Sequence, residues 1–286
     1  MILVIGGRSK IGSALITNLV TRGESVRALV RPSEQTPDWG DRAETVTGDL
    51  GDRRSLRSAM EGAARVFLLC GPTPDEVHYN RNAIDVAREA RVELLVRSSI
   101  LGADVRSPAT FVRDHGECDD YLKASGLAYC ILRPNMFMQT IQENTIPSID
   151  ADGHFFTNAG EARLSMIDTR DIADVAAVVL TNCRHEGRSY DLTGPEALSY
   201  DDVAAMLSTV MGRSITYQDV PDDAVRTVLG GYGMGEWFVN ALVDLFAAYR
   251  ASGRTGYAAQ VTDTVTQLTG HPARSLEQLL AESPPA

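Results

Sequence analysis

The residues from Gly6 to Gly12, Gly-Gly-Arg-Ser-Lys-Ile-Gly, have the types and spacing of a turn that takes an anion on its backbone amides. Gly6 permits a tight turn, the small Ser9 lets a pyrophosphate approach the backbone, and Gly12 lets a helix pack closely behind. Gly7, Arg8, Lys10 and Ile11 fill the other positions and place two cations beside the turn. Such a turn works only between a strand and a helix. The apolar run Ile2-Leu3-Val4-Ile5 reads as the strand, and Ile11, Leu15, Ile16 and Leu19, at helical spacing, read as the helix. The chemistry indicated is dinucleotide binding. A second strand ends Leu29-Val30-Arg31, where an NAD-selective site would carry Asp or Glu to accept from the ribose hydroxyls. Arg31 is a planar fork suited to a 2′-phosphate, and with Arg8 and Lys10 it makes NADP(H) the expected cofactor.

Composition narrows the remaining choices. A chain of 286 residues with 44% hydrophobic and 23% charged side chains can bury a full core. Its 38 acidic residues outnumber 27 basic ones, and the formal charge of −11 opposes attraction to nucleic acid or anionic lipid. The partner expected is therefore a small molecule, with no nucleic acid and no membrane; an oligomer is left open. No run approaches the roughly 18 to 20 apolar residues of a membrane span, and Met1 to Ile5 leads into glycines instead of a cleavage site, so the expected location is the cytoplasm. Cys70, Cys118, Cys130 and Cys183 show no C-x-x-C spacing, and the five histidines form no H-E-x-x-H, so no metal is expected. Of the basic residues only Lys10 and Lys123 are lysines, which leaves two places for any mechanism that needs one.

The elements that must position these residues alternate. Strands are predicted at Ser25 to Val30, Glu44 to Gly48, Arg65 to Cys70, Glu93 to Ser99 and Leu127 to Leu132, with helices at Arg53 to Glu61, Asp75 to Arg91 and Arg113 to Ala124 between them. Alternation of this kind calls for a parallel sheet with helices on both faces, a doubly wound α/β or Rossmann fold. Residues 1–150 are assigned to this NADP-binding domain. Residues 151–286 form a small helix-rich C-terminal subdomain, partly interleaved with it, on the substrate side. There, short strands are predicted at His154 to Thr157, Arg163 to Met166 and Ser189 to Thr193, and helices at Thr169 to Leu180, Tyr200 to Met211, Asp222 to Leu229, Glu236 to Tyr249 and Ser275 to Ala281. The terminal Ser-Pro-Pro-Ala is expected to fray.

The turn at residues 6–12 resembles the Gly-x-x-Gly-x-x-Gly turn of the extended and atypical short-chain dehydrogenase/reductases, with Ser9 in place of the middle glycine. The chain is more specifically similar to the NmrA-like branch, which includes quinone reductases, isoflavone-reductase relatives and cofactor-sensing regulators. The segments that carry this likeness are Val-Arg-Ala-Leu-Val-Arg at 26 to 31, Gly-Asp-Leu at 48 to 50, Leu-Arg-Pro-Asn-Met-Phe-Met at 132 to 138 and Gly-His-Pro-Ala-Arg-Ser-Leu at 270 to 276.

The resemblance implies further site residues. Asp49 and Leu50 match the segment beside adenine, although an Asp at a strand end also serves as a turn residue. Cys70, Gly71 and Pro72 lie where the chain passes the ribose and diphosphate; Gly71 offers a backbone contact, and Cys70 reads as an inert buried thiol. Ser98 and Ser99 end the fifth strand, where relatives carry a hydroxyl that orients the substrate carbonyl, and Ser99 is preferred. Pro134, Asn135 and Met136 match the segment along the nicotinamide. Phe137 and Met138 are assigned to the substrate pocket or to core. Tyr232 and Trp237, set among Gly230, Gly231, Gly233 and Gly235, suggest an aromatic flap over the substrate.

The Tyr-x-x-x-Lys dyad typical of the wider family is absent, because Asp119 precedes Lys123 by four residues and Gly6 precedes Lys10 by four. His115 matches the helix position at which atypical relatives carry a lysine or histidine near the nicotinamide, and it is the candidate acid. The function expected is an NADPH-dependent reductase that passes hydride to a quinone or conjugated carbonyl. The alternatives are a regulator that binds NADP(H) without turnover, and a tailoring ketoreductase or isomerase of secondary metabolism.

Overall fold

Ile2, Leu3, Val4 and Ile5 are all buried, as befits a strand covered on both faces, and they form β1 (Ile2–Ile5) in the interior of a sheet. The computed structural model describes residues 1–31, 39, 41 and 43–282, so the terminal Ser-Pro-Pro-Ala lies outside the described residues. β1 pairs in parallel with β2 (Val26–Val30) on one side and β4 (Arg65–Leu68) on the other. β3 (Ala43–Thr47) extends the sheet beyond β2, and β5 (Leu94–Ser98) and β6 (Tyr129–Pro134) extend it beyond β4, all in parallel. β8 (Arg188–Leu192) completes the order β3-β2-β1-β4-β5-β6-β8. Parallel neighbours need crossovers, supplied by α1 (Lys10–Thr21), α2 (Arg53–Met60), α3 (Glu76–Glu89) and α4 (Thr110–Ala124). This is the doubly wound Rossmann architecture expected from the alternation.

The chain divides into two compact units. The first comprises Met1–Val105, Asp114–Arg133 and Arg170–Tyr190, and includes most of α5 (Thr169–Thr181). Leu3, Ile5, Leu68, Leu95 and Ile131, two residues apart where they share a strand, point to one face of its sheet. Leu56 and Met60 of α2, Ala83 and Ala87 of α3 and Leu122 of α4 cover that face with fully buried side chains. Local chemistry starts the helices: Ser9 Oγ accepts from Gly12 N at 2.9 Å to cap α1, and the Asp52 carboxylate accepts from Arg54 N at 2.9 Å to cap α2.

The second unit comprises Arg106–Arg113, Pro134–Thr169 and Asp191–Ala286. It contains a two-stranded parallel sheet of β7 (His154–Thr157) and β9 (Thr216–Asp219), and the helices α6 (Tyr200–Met211), α7 (Asp222–Gly231), α8 (Glu236–Ser252), α9 (Thr264–Thr269) and α10 (Leu276–Glu282). Ser199 and Asp202 close a reciprocal capping box on α6. Phe155, Tyr200, Tyr217, Phe246 and Tyr249 pack as an aromatic cluster with ring centroids 5.5 to 6.1 Å apart.

Differences from the sequence reading lie in this unit, where the short helix α9 was not anticipated. Arg163–Met166 is not a strand: Leu164 forms an isolated bridge with Leu198, and Ser165 N donates to Ala258 O, so its backbone groups are spent on loops. β9 escaped notice because Thr-Tyr-Gln-Asp has one aromatic residue and no apolar alternation. Gly230 and Gly231 end α7 instead of opening a loop.

The turn after β1 shows why glycine is needed. Gly6 adopts φ +84°, and a Cβ on Gly12 would lie 2.2 Å from the Gly6 carbonyl oxygen and 2.8 Å from Gly7 Cα, both backbone atoms that cannot swing aside. Gly12→Ala is expected to destabilise the protein by about 1 to 3 kcal/mol, as overpacking does. A denaturant melt checks this, and an unchanged midpoint would mean that α1 lifts off the strand without cost.

Candidate active site

In a parallel sheet every strand points its C-terminal end to the same edge, so the turn after β1, Arg31 after β2, Asp49 after β3, Cys70 after β4 and Ser98 at the end of β5 share that edge. The strand order reverses between β1 and β4, which is where such sheets open a ligand crevice. Three features suit this edge to a dinucleotide. Gly12 brings the start of α1 against the turn, so its first amides face outward with no helical carbonyl to accept them. A Cβ on Gly71 would meet nothing within 4 Å, so the backbone there borders open space. Among the described residues Ser99 Oγ is buried with no hydrogen-bond partner, so its donor and acceptor capacity is unspent.

The other predicted cofactor residues are placed as follows. Arg8, Lys10 and Arg31 are exposed, and Ile11 is buried under the turn. Asp49 Oδ1 accepts from Gly51 N at 2.7 Å in a local turn, and Leu50 O accepts from Asn82 Nδ2 at 3.1 Å. Pro72 is exposed. Burial, and then the Glu76 carboxylate, pushes the Cys70 thiol up to about 12, so it is protonated and inert at neutral pH.

The residues after β6 belong to the second unit. Asn135 is buried; its Nδ2 donates to Ser165 Oγ at 2.8 Å and Ala258 O at 2.7 Å, so the amide is committed to tethering its own unit. Met136 receives the Tyr200 hydroxyl on its sulfur at 3.7 Å, and Phe137 is half-buried. Met138 is 1% exposed and would be struck by a Cβ on Gly194, so it packs as core, the second of its two sequence assignments. Tyr232 is 75% exposed, whereas Trp237 sets its ring edge-on to Phe111 at 5.7 Å.

His115 sits in a cluster that sequence reasoning missed, centred on Arg97, whose side chain is 1% exposed. Arg97 lies two residues beyond Leu95 on β5 and therefore projects to the same face, at the level where apolar packing ends. Its Nε donates to Asn80 Oδ1 at 2.8 Å, its Nη1 to Asp119 Oδ1 at 2.6 Å, and its Nη2 to His115 Nδ1 at 2.9 Å, with Glu76 Oε1 3.4 Å away. Arg133, two residues after Ile131 on β6, donates to the other Asp119 oxygen at 2.9 and 3.1 Å. The helices follow suit. Glu76 and Asn80 prolong the α3 stripe of Ala83 and Ala87, and His115 and Asp119 prolong the α4 stripe of Leu122. The available signal was an arginine inside the apolar strand Leu-Leu-Val-Arg-Ser, which demands buried acceptors.

Electrostatics in this cluster is set by burial. Desolvation, followed by the Arg97 charge, holds His115 well below the usual imidazole range, so the ring is neutral at physiological pH. Desolvation likewise raises Glu76 to about 7, against the opposing pull of Arg97. A dinucleotide turn at the switch point of a parallel sheet, with an orphaned hydroxyl on the same edge, fits a protein that binds a dinucleotide there.

Comparisons with known proteins agree. The family model described as NAD(P)H-binding matches residues 6–183. An NAD(P)H azoreductase from Xenophilus azovorans is 36% identical, with 97% of this chain and 96% of the relative covered. A (4-alkanoyl-5-oxo-2,5-dihydrofuran-3-yl)methyl phosphate reductase from Streptomyces griseus is 34% identical, covering 99% and 97%. The solved structure of an NADPH-dependent quinone oxidoreductase from Escherichia coli, complexed with NADPH, superposes with a TM-score of 0.87 at 25% identity, covering 99% of each chain. The chain belongs to the NAD(P)H-binding family. It is an NAD(P)H-dependent oxidoreductase. Among the described residues no helix is long and apolar enough to cross a membrane.

The raised Glu76 carries a pH prediction. Between about 4.5 and about 7 the native state binds more of this proton than the unfolded chain, so its contribution to stability falls as pH rises through that window and is flat above it. Glu76→Gln should remove that fall. Subtracting the variant's unfolding free energy from the wild-type value across pH 4 to 9 (roughly the carboxylate-to-thiol range) should give a descending step; a flat difference contradicts it.

Proposed function

We propose that the protein is an NADPH-dependent reductase whose acceptors are electron-poor conjugated systems, quinones and azo compounds first and conjugated carbonyls next. The observation that carries this reading is the absence of a Tyr-x-x-x-Lys dyad from the chain, which removes the tyrosine acid of simple-ketone reduction; burial, which lowers His115, points the same way. A simple ketone needs proton transfer as hydride arrives, whereas a quinone stabilises the added charge by conjugation and takes its proton from water afterwards. The relatives' azoreductase and quinone oxidoreductase names point the same way.

When bound, NADPH supplies the hydride. In this reading the first unit holds it: Gly6, Gly7, Ser9, Ile11 and Gly12 shape the seat for the diphosphate, with Gly71 as a further backbone contact. Arg31, with Arg8 and Lys10, pairs with the 2′-phosphate. Ser99 donates its unsatisfied hydroxyl to the acceptor heteroatom, and His115 adds a second donor from Nε2. Within the second unit, Phe137 and Trp237 are the candidate apolar substrate contacts and the exposed Tyr232 the candidate flap residue. A purely regulatory protein would bind NADPH and turn nothing over.

Purified protein with NADPH and a panel of quinones, azo dyes, enones and simple ketones should consume nicotinamide absorbance fastest with quinones or azo dyes. Faster turnover of simple ketones would overturn the acceptor class, and tight NADPH binding without turnover would favour the regulator. Arg31→Ala should weaken NADPH about tenfold or more while sparing NADH, since a charge-assisted bond to phosphate is worth roughly 1.5 to 3 kcal/mol. Equal losses for both cofactors in calorimetric titration would sink the assignment of Arg31.

A further inference from the structure

The sites assigned above leave one buried group unexplained. Arg97 spends four donor contacts in a solvent-free position, three of them on the acceptors Asn80 Oδ1, Glu76 Oε1 and Asp119 Oδ1. The fourth contact is different in kind. An imidazole nitrogen that receives an N–H must present its lone pair, so the ring's proton is forced to the other nitrogen.

We propose that Arg97 is a positioning residue for hydride transfer: by donating from Nη2 to Nδ1 it locks His115 in the tautomer that carries its proton on Nε2, so that the ring offers the acceptor a fixed hydrogen-bond donor. This rests on the reading of His115 as a substrate contact. The competing tautomer has its proton on Nδ1, directed at Glu76 Oε1, which lies 3.2 Å away. Geometry decides against it. Arg97 Nη2 is the nearer neighbour at 2.9 Å, a guanidinium does not surrender its proton, and two N–H groups facing each other at that distance would repel. Glu76 can turn donor as well, because it carries a proton over much of the range below about 7.

The guanidinium is itself over-determined. Asn80 holds Nε and Asp119 holds Nη1, and Asp119 is anchored from its far side by Arg133. The ring that results is therefore held from α3, β5, α4 and β6 together. The charged or titratable groups in contact with His115 are Arg97 from β5 and Glu76 from α3; Asp119, on its own helix, is joined to it through Arg97, and Asp114 and Asp119 act on Glu76, which in turn acts on Cys70 beyond β4. A neutral imidazole held this way polarises an oxygen or azo nitrogen by hydrogen bonding without giving up its proton.

Nitrogen-15 NMR of the histidine side chains, with His115 assigned by its absence in His115→Ala, reads the tautomer directly and needs neither substrate nor cofactor. The wild-type spectrum at neutral pH should show His115 protonated on Nε2 alone. An Nδ1 proton or an imidazolium there would overturn the proposal. In Arg97→Met, which keeps volume but removes every donor, the proton should shift towards Nδ1, with turnover of a quinone falling at least tenfold, an order-of-magnitude expectation for a misplaced catalytic donor, and NADPH affinity held within about twofold. Retention of the Nε2 tautomer would overturn the proposal. Should Arg97→Met fail to fold, Asn80→Ala, which removes only the Nε support, should show the same shift in smaller measure, and an unchanged spectrum would count against the lock. The reading of His115 fails separately: wild-type turnover in His115→Ala removes it from the site whatever its tautomer.

Discussion

A guanidinium with almost no exposed surface must have every nearby polar group arranged around it, and Arg97 imposes that requirement on four elements at once. Removing one partner of a buried ion pair typically costs about 3 to 5 kcal/mol, because the remaining charge is stranded. The first unit meets the constraint by changing chemistry at one level. Below it, β5, β6, α3 and α4 face one another with Leu95, Ile131, Ala83, Ala87 and Leu122; above it the same faces carry Arg97, Arg133, Asn80, Glu76, His115 and Asp119. The boundary lies at the C-terminal ends of the strands, the edge that also carries the glycine turn. Packing and site are thus consecutive layers of one arrangement.

The second constraint is steric. No atom separates Gly12 from the Gly6 carbonyl, and this absence of a side chain brings the amides at the start of α1 to the edge of the sheet. Ser9 replaces a glycine of the family turn without cost because its hydroxyl accepts from Gly12 N as a helix cap. An anion seat therefore exists before any ligand arrives, and pre-organisation of this kind reduces what binding must supply.

The fold was legible wherever periodicity was strong. β1, α1 and the alternating elements to β6 appear where the apolar pattern puts them, because the inner strands are buried on both faces and the helices on one; only the edge strand β3 is largely exposed. The failures are physical as well. Thr216–Asp219 forms a strand with no hydrophobic alternation to announce it, and Arg163–Met166 has the alternation but sends its backbone to loops. The site was legible where backbone conformation demands a residue type, as at Gly6 and Gly12, and illegible where function depends on contacts between distant segments. His115 could be placed on its helix, but its partner on β5 and the loss of its charge through burial come from tertiary packing that one sequence does not display. Met138 and Asn135 follow the same logic, since a residue beside a site and a residue under it look alike until burial is known.

The central claim is that this chain moves hydride from NADPH to an electron-poor acceptor. Stopped-flow mixing of protein already loaded with equimolar NADPH against excess quinone isolates that step. The account predicts one nicotinamide oxidised per protein chain in a single phase, slowed by a primary isotope effect when the transferred hydrogen is deuterium. Bound NADPH that persists unoxidised against quinones and azo dyes alike would contradict it.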